Sequence, residues 1–188
     1  MDSSLSSEIL TEKHFKSIST FSCSKEPEVE NFLKEDAYKY NISNMARTRL
    51  FFDESHNLIG YFTVFNDHVE VCKSKRQSEH LSAPKGERNF PAIRLHYLGV
   101  DDKYQKLGYG EQILLHLFEH CYNISRVTGC TLITVQALRS SIEFYKKYAF
   151  VVWKNESKAY LDMFFKISDL HSVYDQGEKT EKLMEVFT

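Results

Sequence analysis

Gln105, Gly108 and Gly110 lie in "DDKYQKLGYGEQILLHLFEH", residues 101–120, immediately ahead of a strongly helical run. Glycine inside a helix costs roughly 1 kcal/mol against alanine, so two glycines at a helix start imply that something must approach the backbone there. The first amides of a helix have no intrahelical acceptor, the helix dipole adds positive potential, and glycine removes the side chain that would hold a ligand off. A diphosphate is the group such a turn would bind; a plain tight turn is the alternative. Rival phosphate loops fit less well. No Lys-Ser or Lys-Thr follows the glycines, as a nucleoside triphosphate loop requires, and two glycines fall short of a dinucleotide fingerprint.

Other residues could do different chemistry. "HLFEH", residues 116–120, fits the H-x-x-E-H pattern of zinc peptidases, with His116 and His120 one helical turn apart. The apolar stripe of that helix is centred between Leu117 and Cys121, which leaves both histidines on its polar flank, so no metal is expected. His96, on the strand before the turn, has an imidazole suited to base work, but position alone does not assign it and a packed histidine is the favoured reading. Glu87 is the other candidate base. Cys23, Cys72, Cys121 and Cys130 form no CxxC pair, so neither a disulfide framework nor a zinc knuckle is indicated, and reduced thiols are expected. Residues 73–94 carry Lys73, Lys75, Arg76, Lys85, Arg88 and Arg94 against Glu79 and Glu87. That segment is a solvated loop or a phosphate-binding surface.

The elements that position these residues follow from periodicity. The 188 residues, 42% hydrophobic, suffice for one packed core. "HFKSISTFSC" alternates like a first strand, and "EPEVENFLKEDAYKY" spaces Val29, Phe32, Leu33, Ala37 and Tyr40 as a helix opening at Pro27. "ARTRLFFDESHNLIGYFTVFNDHVEV" predicts a hairpin turning at Asp53–Asn57. The basic segment follows, then a strand at "AIRLHYLGV" and a helix whose buried face is Ile113, Leu114, Leu117, Phe118 and Cys121. "CTLITVQA" predicts a buried strand parallel to its predecessor, residues 139–148 a short helix, and "FVVWKN" and "AYLDMFFKI" the last two strands. The order β-α-β-β-β-α-β-α-β-β predicts an α/β chain around one mixed, mostly antiparallel sheet with strands 4 and 5 parallel. A polar tail from Ser168 carries a weak helical pattern at Leu183, Met184 and Phe187.

"YLGVDDKYQKLGYGEQIL" resembles the acetyl-CoA motif of the GNAT superfamily of N-acetyltransferases, in which Q/R-x-x-G-x-G/A follows an apolar strand. "SIEFYKKYAF" resembles that family's next helical segment, and the element order is the GNAT order over residues 8–167, with 168–188 as an appended tail. The resemblance implies the GNAT fold, in which strands 4 and 5 splay apart between flanking helices. It implies that Gln105, Lys106, Leu107, Gly108, Tyr109 and Gly110 hold the CoA pyrophosphate. Leu98, Gly99 and Val100 would pair with pantetheine, an amide near Gly99 or Val100 polarising the thioester carbonyl. Tyr145 would face the sulfur as the acid. Two positions depart from the pattern: Leu138 stands where many members have asparagine, and Ala149 replaces the usual glycine.

The expected activity is transfer of acetyl from acetyl-CoA to a primary amine. Within the family the chain looks most like the toxin-type GNATs of bacterial toxin-antitoxin pairs, which acetylate aminoacyl-tRNA, so tRNA enters as an alternative acceptor. A non-catalytic acyl-CoA-binding module is the third reading. A formal net charge of −2 argues against general polyanion binding and against DNA as a partner. No stretch reaches the roughly 18 apolar residues of a membrane span, and the first twenty residues lack the order of a secretory signal. A cytoplasmic protein is expected, with homodimer formation left open.

Overall fold

The computed structural model describes residues 5–154 and 159–175. β1, Ser6–Ile9, pairs antiparallel with β2, Arg47–Phe52. Between them Thr11 starts a helical run: its amide donates to His14 Nδ1 at 3.0 Å, and the His14 amide donates to the Thr11 carbonyl at 3.1 Å. α1, Phe15–Ser19, follows, so the expected first strand at residues 14–23 is corrected to a helix. Phe15, Ile18 and Phe21 recur every three residues, and of these Ile18 and Phe21 are buried while Phe15 is 48% exposed. That spacing suits a helix resting on one side, and the true edge strand hides in the polar "SSEI" before it.

α2, Pro27–Asn31, opens at the proline and runs through a π-helical turn, Phe32–Asp36, into α3, Ala37–Ile42. Proline at a first helical position loses no hydrogen bond. β2 and β3, Leu58–Glu70, form the expected hairpin in register from Arg47↔Val64 to Phe51↔Gly60. Asp53 closes its turn by accepting the amides of Ser55 and Asn57 at 2.9 and 2.8 Å. A short helix, α4, Lys73–Ser78, interrupts the basic segment. β4, Asn89–Val100, leads into α5, Tyr109–Ser125, and then β5, Leu132–Leu138. α6, Ile142–Lys147, β6, Val151–Lys154, β7, Tyr160–Lys166, and α7, Ile167–Tyr174, complete the described chain. The pattern at Leu183, Met184 and Phe187 lies outside the described residues.

The strands form one seven-stranded mixed sheet in the order β1-β2-β3-β4-β5-β7-β6, with β4 and β5 parallel and the other neighbours antiparallel. The fold is the expected α/β architecture. Two compact units are discernible, Met1–Phe65 with Leu95–Leu117, and Asn66–Arg94 with Phe118–Thr188. The first has its core around Leu10, Phe21, Val29, Leu33, Leu50 and Tyr61, and the second has a core cluster of Val69, Val71, Phe90, Ala92, Leu132 and Phe164. The predicted α5 stripe of Ile113, Leu114, Leu117, Phe118 and Cys121 is fully buried.

Candidate active site

β4 ends at Val100, and two aspartates fix the turn that follows it. The Asp101 amide donates to the Ile59 carbonyl at 2.9 Å, while its carboxylate accepts the amides of Ser22 and Lys103 at 2.9 and 3.0 Å. The Asp102 carboxylate accepts the Ser24 amide at 3.0 Å and the Ser22 hydroxyl at 2.9 Å. These bonds, the Ser24 amide first, hold its pKa below the usual carboxylate range. Gln105 turns its side-chain amide inward, donating to the Val100 carbonyl at 3.1 Å and to Asp102 at 3.0 Å. Its side chain is therefore engaged by the turn itself.

Lys106 and Gly108 have φ of 63° and 87°, so two left-handed residues flank Leu107. Backbone that alternates into the left-handed region gathers N–H groups into an anion-binding concavity. A Cβ at Gly108 would meet nothing within 4 Å, so the space beside the backbone is open. The Gly108 carbonyl accepts from the amides of Glu111 and Gln112 at 3.1 and 3.3 Å, which places the start of α5 at this residue. Lys106, Leu107 and Gly108 are all exposed. An open turn, left-handed backbone and a helix N-terminus together fit a diphosphate.

The strand before the turn is shaped by a second glycine pair. A Cβ on Gly99 would lie 2.6 Å from Val29 Cγ1 and 2.9 Å from Tyr61 Cε1, and one on Gly60 would lie 2.4 Å from the Gly99 carbonyl oxygen. Neither position tolerates a side chain, because backbone and rings already fill it. The Tyr61 hydroxyl donates to the Val29 carbonyl at 2.6 Å, fixing α2 above Gly99. Two residues earlier the strand loses its pleat. His96 and Tyr97 are adjacent, yet their rings are 4.4 Å apart and both contact Phe32, at 4.9 and 4.8 Å. Successive side chains of a regular strand point to opposite faces, so β4 is distorted at this step in the manner of a bulge. His96 also meets Tyr40 and Phe65. It is a packed ring in an aromatic cluster.

Leu98, Gly99, Val100 and the whole Gln105–Gly110 turn belong to the first compact unit, and Tyr145 belongs to the second. Tyr145 is buried on α6, with ring contacts to Phe144 at 5.2 Å and Phe150 at 5.3 Å. Burial alone pushes its phenol well above the usual range, so it is fully protonated at neutral pH. Ala149 occupies the family's glycine position with φ of 58°. The amides of Ala149 and Phe150 donate to Lys146 and Tyr145 carbonyls, both at 3.1 Å, completing the paired bonds of a Schellman cap. The glycine is replaced and its geometry is kept. Leu138 ends β5 opposite Tyr160.

The remaining sequence candidates do other work. The His116 ring sits against Phe51 at 5.3 Å, Glu119 is exposed, and among the described residues no three His, Cys, Asp or Glu side chains are grouped to hold a metal. Glu87 folds onto the amides of Arg88 and Asn89 at 2.8 and 2.7 Å, led by the Asn89 bond, and these bonds lower its pKa, which weakens it as a base. One arrangement has no counterpart in the sequence reading. Ser125 Oγ lies 2.9 Å from His171 Nε2, and His171 Nδ1 lies 3.2 Å from Asp175. The Ser125 hydroxyl, however, donates to the Tyr122 carbonyl at 2.7 Å, so histidine must donate to serine. The trio clasps α7 to α5 and is not a nucleophile pair.

Comparison with known proteins decides the family. Residues 15–150 match the acetyltransferase (GNAT) family. The chain belongs to it. Among curated proteins no sequence match was found. Of solved structures, a bacterial toxin superposes with TM-score 0.77 at 22% identity, covering 92% of this chain and 96% of its own. A tyrosine-to-phenylalanine mutant of KacT gives 0.76 at 22% identity, over 89% and 98% of the two chains. AtaT complexed with acetyl-methionyl-tRNAfMet gives 0.75 at 21% identity, over 91% and 99%. At such identities the likeness is one of fold. No helix among the described residues is long and apolar enough to cross a membrane.

Proposed function

We propose that this GNAT chain transfers the acetyl group of acetyl-CoA to a primary amine by direct attack within a complex of both substrates. The observation that carries the reading is the left-handed, open turn at Lys106 and Gly108 at the N-terminus of α5. The backbone of Gln105, Lys106, Leu107, Gly108, Tyr109 and Gly110 would hold the diphosphate, and Leu98, Gly99 and Val100 would pair with pantetheine. Acetyl-CoA supplies an acetyl group already activated as a thioester. The Gly99 or Val100 amide would donate a hydrogen bond to the thioester carbonyl oxygen, where charge develops. Tyr145 carries the proton nearest in role to the leaving sulfur. Its raised pKa makes it a hydrogen-bond donor to developing thiolate charge rather than a strong acid. With His96 packed among rings and Glu87 weakened, water is the favoured carrier of the amine proton.

A second reading, acetylation of aminoacyl-tRNA, is supported by two observations: the solved structure of AtaT complexed with acetyl-methionyl-tRNAfMet, and the cationic segment at residues 73–94. AtaTR has been crystallised with AcCoA, which supports the donor. We place the reaction in the cytoplasm, with residues 8–167 as the acetyltransferase domain and residues 168–188 as its tail. The test is transfer from labelled acetyl-CoA to a panel of polyamines, peptides, amino acids and charged tRNAs. Label in any amine establishes the activity, and label in charged tRNA alone establishes the second reading. Tight acetyl-CoA binding with no transfer to any acceptor would leave a non-catalytic binding module.

A further inference from the structure

The connection between β3 and β4 folds back on itself. The Leu81 amide donates to the Arg76 carbonyl at 2.9 Å, and the Val71 amide donates to the Arg88 carbonyl at 3.1 Å, so α4 and the return strand of chain are tied together. They enclose a cleft of about 460 Å³ lined by Lys73, Arg76, Gln77, His80, Leu81, Ser82 and Ala83. No lining residue is acidic. The segment's carboxylates are engaged elsewhere: Glu79 holds Lys75 at 2.8 Å, Glu87 caps its own loop, and Asp67 holds Arg94 at 3.0 Å. Lys73 and Arg76 make no direct salt bridge among the described residues, and Glu87 feels the Arg76 charge from a distance. Arg76 is anchored through Nη1 to the Glu87 carbonyl at 2.6 Å, and its Nε has no hydrogen-bond partner. His80 adopts a left-handed φ of 54°, a conformation that non-glycine residues enter at a cost.

We propose that this cleft is a phosphate-binding site, separate from the glycine turn, taking the phosphoryl groups of RNA or of a nucleotide. The cleft brings Lys73 and Arg76 together with no carboxylate in its lining, and a local positive concavity of this kind attracts anions even in a chain with net charge −2. An ammonium, a guanidinium and an imidazole line it, and Gln77 and Ser82 add neutral donors. A tetrahedral phosphate offers acceptor oxygens in several directions to such a donor set, whereas a planar carboxylate offers two in one plane. The site does not depend on which amine is acetylated.

Fluorescence anisotropy of a short labelled single-stranded RNA tests it, with inorganic phosphate, ATP and polyglutamate as competitors. The parent should bind RNA with a steep salt dependence. Joint replacement of Lys73→Ala, Arg76→Gln and His80→Ala should weaken binding about tenfold or more and reduce the salt slope by about two, one for each of the two cations removed. Because Arg76 anchors the loop, Lys73→Glu with His80→Glu, both exposed positions, must reproduce the loss. Lys75→Ala should change little, since Glu79 already holds that charge. In every variant acetyl-CoA should still raise the melting temperature as in the parent, which separates failure of this site from failure of the acetyl-CoA reading. Binding of a fluorescent ATP analogue that phosphate displaces, without stable RNA binding, assigns a nucleotide as the source. Unchanged binding of RNA and phosphate in the charge-reversed pair, or displacement by polyglutamate and not by phosphate, overturns the proposal.

Discussion

Tyr145 sits between Phe144 and Phe150 with its hydroxyl as the one atom that distinguishes it from a packing ring. Tyr145→Phe keeps that packing, so turnover should drop about 10²-fold to 10⁴-fold while acetyl-CoA affinity holds, because the hydroxyl acts mainly in the transition state. Tyr148→Phe is the matched control for steady-state kinetics, and equal turnover in both variants would reduce Tyr145 to packing. Gly108 makes a different demand. Gly108→Ala adds a Cβ that touches nothing, so its folding cost is only that of a left-handed alanine, about 1 kcal/mol. Thermal melts should show that small loss together with disappearance of the acetyl-CoA shift; a retained shift would remove the turn from the site. Ala149 already bears the same penalty at the end of α6. Ala149→Gly should stabilise the chain by about 0.5–1 kcal/mol in denaturant unfolding, with no change in acetyl-CoA binding.

At the level of elements, the turn after β4 is held from below by carboxylates. Asp102 has a folded pKa below its unfolded value, so its contribution to stability is present above the unfolded pKa, near 4, and is lost as pH falls through the lower folded value. The melting temperature should therefore fall on acidification below about pH 4. Asp102→Asn should lower it at neutral pH and flatten that acid limb; identical pH profiles for the two proteins would show the clasp contributes nothing. The glycine spacing and the α5 stripe were legible in the sequence because each rests on local period and residue type. The clasp was not: Ser22 and Asp102 are distant in the chain, and only the fold joins them. Nor was the distortion at His96 and Tyr97, where Phe32 meets the rings of two consecutive residues. α4 escaped because "KSKRQS" has no apolar period and none of its residues is buried. β1 escaped because its four residues read as polar. Sequence treated Lys75 as one more free cation, and the structure ties it to Glu79. Tyr145 had no local signal at all and was assigned by resemblance alone.

For the whole molecule, the donor site should couple to stability. A ligand that binds only the folded chain stabilises it by mass action, by about 2.7 kcal/mol at a hundredfold excess over its dissociation constant. In a chain of 188 residues each kcal/mol moves the midpoint roughly 2–4 °C, so saturating acetyl-CoA should raise the melting temperature by roughly 5–10 °C. CoA should give most of that shift, because the diphosphate and pantetheine are common to both and only the acetyl group differs. Desulfo analogues should behave alike, since the sulfur matters to the reaction and not to the backbone turn. Free acetate or pantetheine should give little, as neither presents the diphosphate to Lys106 and Gly108. A shift produced equally by pantetheine would move the main binding energy from the glycine turn to β4, and no shift with acetyl-CoA would refute the donor site outright.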